Sequence, residues 1–171
     1  MAEIKNHPLI FTIREVVSGK GFLVGVTVSG RALMVKENDE WWMYGVRPGA
    51  IAEGAPNAEE AYARFRTRYR EVLFDIAEES GTFDDFRKEV ERFFYEPDYE
   101  EEQKWEDAVS IARSQCLTTP PAPFAKLPIE APENRPAQIT VERLDGVEKR
   151  FMPSDNVSDR CLYVGVEKIA A

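Results

Sequence analysis

Residues 9–53 are rich in Val, Ile, Phe and Trp punctuated by glycine, alternating strictly at Phe22, Val24, Val26 and Val28, and from residue 57 to 115 apolar side chains recur at every third or fourth position. A β-rich first part followed by a helical part is the direct reading, because side chains alternate across a strand but repeat with a 3.6-residue period on a helix. The first hairpin is predicted from Leu9 to Ser29 around Ser18-Gly19-Lys20-Gly21, with Phe22, Val24, Val26 and Val28 on one face. Ser29-Gly30 reads as the next turn. A second hairpin follows, residues 31–37 against 41–46 around Glu37-Asn38-Asp39-Glu40, and Pro48-Gly49 precedes a short strand at 50–53. Strands joined by turns this tight pair antiparallel.

Asn57 begins the change of period. It is a good N-cap with Glu60 three positions on, and Ala58, Ala61, Tyr62, Phe65, Tyr69, Val72, Leu73 and Ile76 form one stripe, predicting a helix over 57–79. A second helix starts at Thr82 with Asp85 as cap partner, carries Phe83, Phe86, Val90, Phe93 and Phe94, and stops before Pro97. The third, over 99–115, opens on Glu100, Glu101 and Glu102, favourably placed at the positive end of the helix dipole, and is expected to bury Trp105, Ala108, Val109, Ile111 and Ala112.

Six prolines between 117 and 136 exclude helix and central strand there. Phe124, Leu127 and Ile129 within that stretch favour a strap lying on the main body over a free tether. Strand character returns at Ile139 and Val141, with a turn at Asp145-Gly146, a second arm through Phe151 and a last strand near 160–168. The predicted fold class is α+β: an antiparallel sheet packed against two or three helices, with C-terminal β strands. The expected organisation is a main domain over 1–116, a Pro-rich linker or strap over 117–136, and a C-terminal β segment over 137–171 docked on the main domain.

At 171 residues, 43% apolar and 11% aromatic, the chain has the material for one sizeable core. It has no apolar run long enough for a membrane helix and no basic-then-apolar start, so a cytoplasmic protein without membrane contact is expected. Cys116 and Cys161 lie too far apart for a metal-binding spacing and are read as buried or unreactive thiols. A net charge of −9 argues against a nucleic-acid partner. Residues 84–107 hold eleven acids against four bases, so most of that charge sits in one stretch.

Candidate chemistry is sparse. His7 is the lone histidine and has no partner of the kind a triad or metal site requires. Nucleophile-elbow, phosphate-loop, zinc and calcium signatures are absent, and no cofactor is predicted. The acids from Glu96 to Asp107 are read as a solvated helix start and a surface for a basic protein. Their other reading is a magnesium site in a metal-assisted phosphodiester hydrolase. Arg64, Arg66, Arg68 and Arg70 form either a salt-bridge lattice with neighbouring acids or a phosphate-facing row. Of the adjacent Trp41 and Trp42, one ring should enter the core while the other faces outward or under the strap.

The stretch from Trp41-Trp42-Met43-Tyr44-Gly45 through Arg47-Pro48-Gly49 to Asn57-Ala58-Glu59-Glu60-Ala61 resembles the core of HicB-like antitoxin domains, over about residues 31–80. The likeness rests on a strand ending at a Pro-Gly turn, a short strand, an acidic-Gly pair and the Glu-Glu-Ala helix start. It implies a sheet packed on a helix, homo-oligomers, and neutralisation of a small basic RNA-cleaving toxin. Residues after 137 depart from the family, because no helix-turn-helix is evident for operator binding. The resulting expectation is a non-enzymatic protein-binding module, with Trp41, Trp42, Arg64, Arg68, Glu100, Glu101 and Glu102 as partner contacts. The alternatives are the hydrolase and a structural, self-associating subunit.

Overall fold

A computed structural model of the chain describes residues 5–145 and 160–165. Strands β1 (Asn6–Ser18), β2 (Leu23–Glu37), β3 (Glu40–Arg47) and β4 (Ala52–Ala55) precede helices α1 (Ala58–Glu79), α2 (Phe83–Tyr95) and α3 (Tyr99–Ser114). Three short strands follow, β5 (Ile129–Glu130), β6 (Gln138–Arg143) and β7 (Arg160–Val164). They join one seven-stranded sheet in the order β4-β3-β2-β1-β7-β5, with β6 on β2. The fold is α+β, as the periodicity predicts, although β5 and β7 pair in parallel and make the sheet mixed. The predicted arm through Phe151 and the last residues of the predicted final strand lie outside the described residues.

Local signals place most boundaries. Asn57 caps α1 by accepting a hydrogen bond from the Glu60 backbone N–H at 2.8 Å, and Thr82 caps α2 by accepting from that of Asp85 at 3.1 Å. Asn38 and Asp39 both lie at positive φ, 50° and 66°, which is the twist a two-residue hairpin between β2 and β3 requires.

The turn expected at Ser29-Gly30 is not there. β2 runs straight through it for fifteen residues. Its first half, Val24 to Ser29, pairs with β6, and its second half, Arg31 to Glu37, pairs with β3, so one edge changes partner at Gly30, beside a register shift at Arg31/Ala32. Gly30 is needed for close approach: a Cβ there would stand 2.3 Å from the Phe11 ring and 2.6 Å from the Arg47 carbonyl oxygen.

Both sheet faces are covered. Leu9, Phe11, Ile13, Val24, Val26, Val28 and Met34 point to one side, where Phe65, Tyr69 and Leu73 of α1 and Phe86, Val90 and Phe94 of α2 meet them. Ile10, Leu33, Val46, Leu162 and Val164 point to the other, where Trp105, Ala108 and Val109 of α3 cover them. The helices therefore do not share one face of the sheet, since α3 crosses to the side opposite α1 and α2. Its Trp105 Nε1–H donates to the Leu9 carbonyl at 3.4 Å. Ile111, expected inside, is 44% exposed because α3 covers only a narrow band of sheet.

The Pro-rich stretch lies against the body. Phe124 is buried, Tyr163 N–H donates to the Pro128 carbonyl at 3.0 Å, and Gly165 N–H to that of Glu130 at 3.2 Å. Beneath Phe124 sits His7, also buried, its ring 4.7 Å from Phe124 and 5.8 Å from both Trp41 and Tyr163, with Nδ1 2.8 Å from the Tyr163 hydroxyl. A residue near the start of the chain thus closes an aromatic cluster made by β1, β3, the strap and β7. Burial lowers the His7 pKa to about 4. Cys161 is largely enclosed and its thiol is pushed up to about 12 by burial, whereas Cys116, expected buried or unreactive, is exposed.

Two outcomes follow from this packing. Gly30→Ala is expected to lower stability in urea unfolding by about 2 kcal/mol or more, because the methyl meets backbone as well as a ring. Gly81→Ala, with open space around it, should stay within about 0.5 kcal/mol of the parent. His7 binds its proton more weakly folded than unfolded, so its contribution to stability is complete above pH ~6.5 and is lost as pH falls towards about 4. His7→Phe should remove about 3 kcal/mol of that acid-side loss, read as the difference between the two unfolding curves from pH 7 to pH 4.

Candidate functional site

The four arginines of α1 are held by acids of β1, β4 and α1 itself. Arg64 donates to the Gly54 carbonyl at 2.8 Å and pairs with Glu60 at 2.7 Å, while Arg68 reaches Glu53 at 2.9 Å and Glu71 at 3.2 Å. On the other flank Arg70 and Arg66 approach Glu15 of β1 at 3.1 and 3.9 Å. The contacts to Glu15 are Coulombic, since its Oε1 is buried without hydrogen-bond geometry to a donor. The shallow cleft beside Arg64 and Arg68, about 300 Å³, also contains Glu53, Glu60 and Glu71. Three carboxylates beside two guanidiniums make a lattice, not a surface that attracts phosphate.

Trp41 and Trp42 take opposite faces of β3, as adjacent strand residues must. Trp41 packs edge-on against Phe124 of the strap, ring centroids 5.5 Å apart. Trp42 stacks on Tyr44 at 6.1 Å and lies over Gly54, where a Cβ would come within 2.6 Å of the indole. Both rings are partly covered by their own chain. Since Arg64 bonds the carbonyl of that same Gly54, Trp42 and Arg64 meet around β4, whereas Trp41 stands apart from them.

The first-turn acids of α3 are engaged in turn. Glu100 and Glu101 each lie 3.0 Å from Lys104, raising the pKa of that ammonium chiefly through the Glu100 hydrogen bond and then that of Glu101. Glu102 forms a short ion pair with Arg47 of β3. Glu101 also acts on Tyr44, whose pKa is raised first by desolvation and then by its hydrogen bond to Glu37 at 3.0 Å.

What stays open is the corner between α2 and α3. Asp98 caps α3 by accepting from the Glu101 N–H at 3.2 Å, and its Cβ abuts Gly49 of the β3–β4 turn, where an added Cβ would lie at 2.7 Å. Arg47 approaches the Tyr95 ring at 6.0 Å. On this fixed corner Tyr99 is 77% exposed and Tyr95 49%, the most exposed aromatic rings among the described residues. Glu96, Asp98, Glu100 and Glu101 surround them in sequence. Periodicity singles out neither tyrosine. The signal that could have found them is their place on either side of Pro97, where two helix ends leave side chains pointing away from both apolar stripes.

Larger hollows lie elsewhere, and two of them bear on the packing. One of about 680 Å³ runs between the strap and the start of α1, lined by Leu9, Met34, Tyr62, Phe124, Leu127 and Cys161 among others. The second, about 420 Å³, opens between β3 and α3 around Arg31, Arg47 and Trp105. Among the described residues no three His, Cys, Asp or Glu side chains converge as metal ligands, and no helix is long and apolar enough to cross a membrane. Comparison with family models, with curated proteins and with solved structures finds no match to this chain.

Proposed function

We propose that this protein is a binding module for a basic protein partner, and that the α2–α3 corner is its contact surface. The observation that carries the reading is the pair of exposed rings, Tyr95 and Tyr99, on a corner held by the Asp98 cap inside the most acidic stretch of the chain. Tyrosine supplies contact area at low entropic cost, and a surplus of carboxylates around it orients and accelerates the approach of a cationic surface. Glu100, Glu101 and Glu102 belong to this surface, although their pairing with Lys104 and Arg47 makes them weaker anchors than the rings. Trp41, Trp42, Arg64 and Arg68 are set aside as anchors because their own chain already occupies them.

The resemblance of residues 31–80 to HicB-like antitoxins supplies the partner's class, a small basic RNA-cleaving toxin, and a homo-oligomeric form. In support, β3 ends at the Pro48-Gly49 turn and β4 leads into a helix capped by Asn57. The hydrolase reading gains no support from the described carboxylates, no three of which converge as metal ligands.

Co-expression with small basic toxins, followed by calorimetry on any complex formed, tests the proposal. Binding at micromolar concentration or tighter is expected, weakening about tenfold or more in Tyr99→Ala with Tyr95→Ala, and falling steeply with added salt. Absence of any complex at micromolar concentration, or an affinity indifferent to both tyrosines, removes it.

A further inference from the structure

Arg31 and Arg47 stand directly opposite one another on β2 and β3. Like charges in facing positions of a ladder repel, so each needs compensation. Arg47 has it in its ion pair with Glu102. Arg31 does not: its side chain forms no ion pair or hydrogen bond within the described residues, and its Nε is buried without an acceptor. The guanidinium is instead held over the Trp105 ring, 4.4 Å from the centroid. Desolvation and then Arg47 lower its pKa, against the opposite pull of Glu106 and Glu102, yet an arginine stays charged at any ordinary pH.

A half-buried cation whose nearest carboxylates, Glu102 and Glu106, act on it without forming an ion pair is left incompletely compensated, and arginine is the residue whose rigid planar donors match an oxyanion. If Arg31 served only to cover Trp105, an apolar side chain would do so without adding a second positive charge beside Arg47. The hollow of about 420 Å³ that Arg31 lines is of a size to admit a small organic molecule, with Pro136 and Ala137 as its accessible apolar lining. Glu102 and Glu106 also line it and set a limit on charge, excluding a polyanion.

We propose that this cleft binds a small molecule bearing one carboxylate or phosphate, whose oxygens bond the Arg31 guanidinium while its body lies against Pro136 and Ala137. The site lies on the α3 face and adjoins the α2–α3 corner through Glu102, which lines it, but anion binding at Arg31 requires no protein partner.

Calorimetry on the full chain with inorganic phosphate and with propionate, referenced to sodium chloride of equal ionic strength, tests this. Saturable binding of at least one anion at roughly millimolar concentration is expected. A response to phosphate alone identifies a phosphorylated ligand, and a response to propionate alone a carboxylate. Arg31→Lys, which keeps the charge and loses the planar fork, should bind about tenfold more weakly or worse. Arg31→Met should lose binding while its ligand-free melting temperature equals or exceeds the parent's, because the repulsion with Arg47 is gone. Wild-type protein that binds neither anion, an Arg31→Lys or Arg31→Met protein that binds as well as the parent, or a ligand-free Arg31→Met protein that melts well below it, overturns the proposal.

Discussion

The structure depends on β2 being buried on both faces while its edge serves two partners. Val24, Val26, Val28 and Met34 face α1 and α2, and Leu33 faces α3. A strand with one wet face would fix a single helical layer. Here each side of the central hairpin must be covered, and the chain meets that demand by sending α3 round the corner at Pro97 to the reverse side. Gly30 makes the change of edge partner sterically possible, because only a residue without Cβ lets Phe11 and the Arg47 carbonyl approach together.

Closing the other end of the sheet falls to the aromatic cluster around His7. It ties the start of the chain to β7 and the strap, elements separated from it by more than a hundred residues. The cluster excludes water well enough to keep the imidazole neutral, so the same packing that completes the sheet makes it sensitive to acid. A Pro-rich segment is well suited to lie over such a cluster, because it needs few backbone partners of its own. It contributes an edge strand only where β7 offers a free side.

Ion pairs organise much of the surface among the described residues. Each α1 arginine finds an acid, and the first acids of α3 find Lys104 and Arg47. Tyr95 and Tyr99 remain open at the helix corner, and Arg31 beneath α3 forms no ion pair among the described residues. These are the places where the fold retains something it does not need for its own cohesion, and they lie outside the regular alternation that builds the sheet.

Local chemistry was legible in the sequence. The caps at Asn57 and Thr82, the Asn38-Asp39 turn, the alternation from Phe22 to Val28 and the stripes of α1 and α2 depend on neighbours within a few positions, so pattern alone determined them. The α+β class followed from their order. The candidate site was less legible: the acidic run was plain, but the tyrosines that stand open within it were not. Only the tertiary structure decided that Ser29-Gly30 continues a strand, that α3 takes the opposite face, that His7 is buried, and that Arg31 confronts Arg47. Each of these depends on a contact between residues distant in the chain. A glycine that marks a turn and one that admits a distant carbonyl look alike in sequence, and an apolar stripe says that a helix must be covered without saying by which side of the sheet.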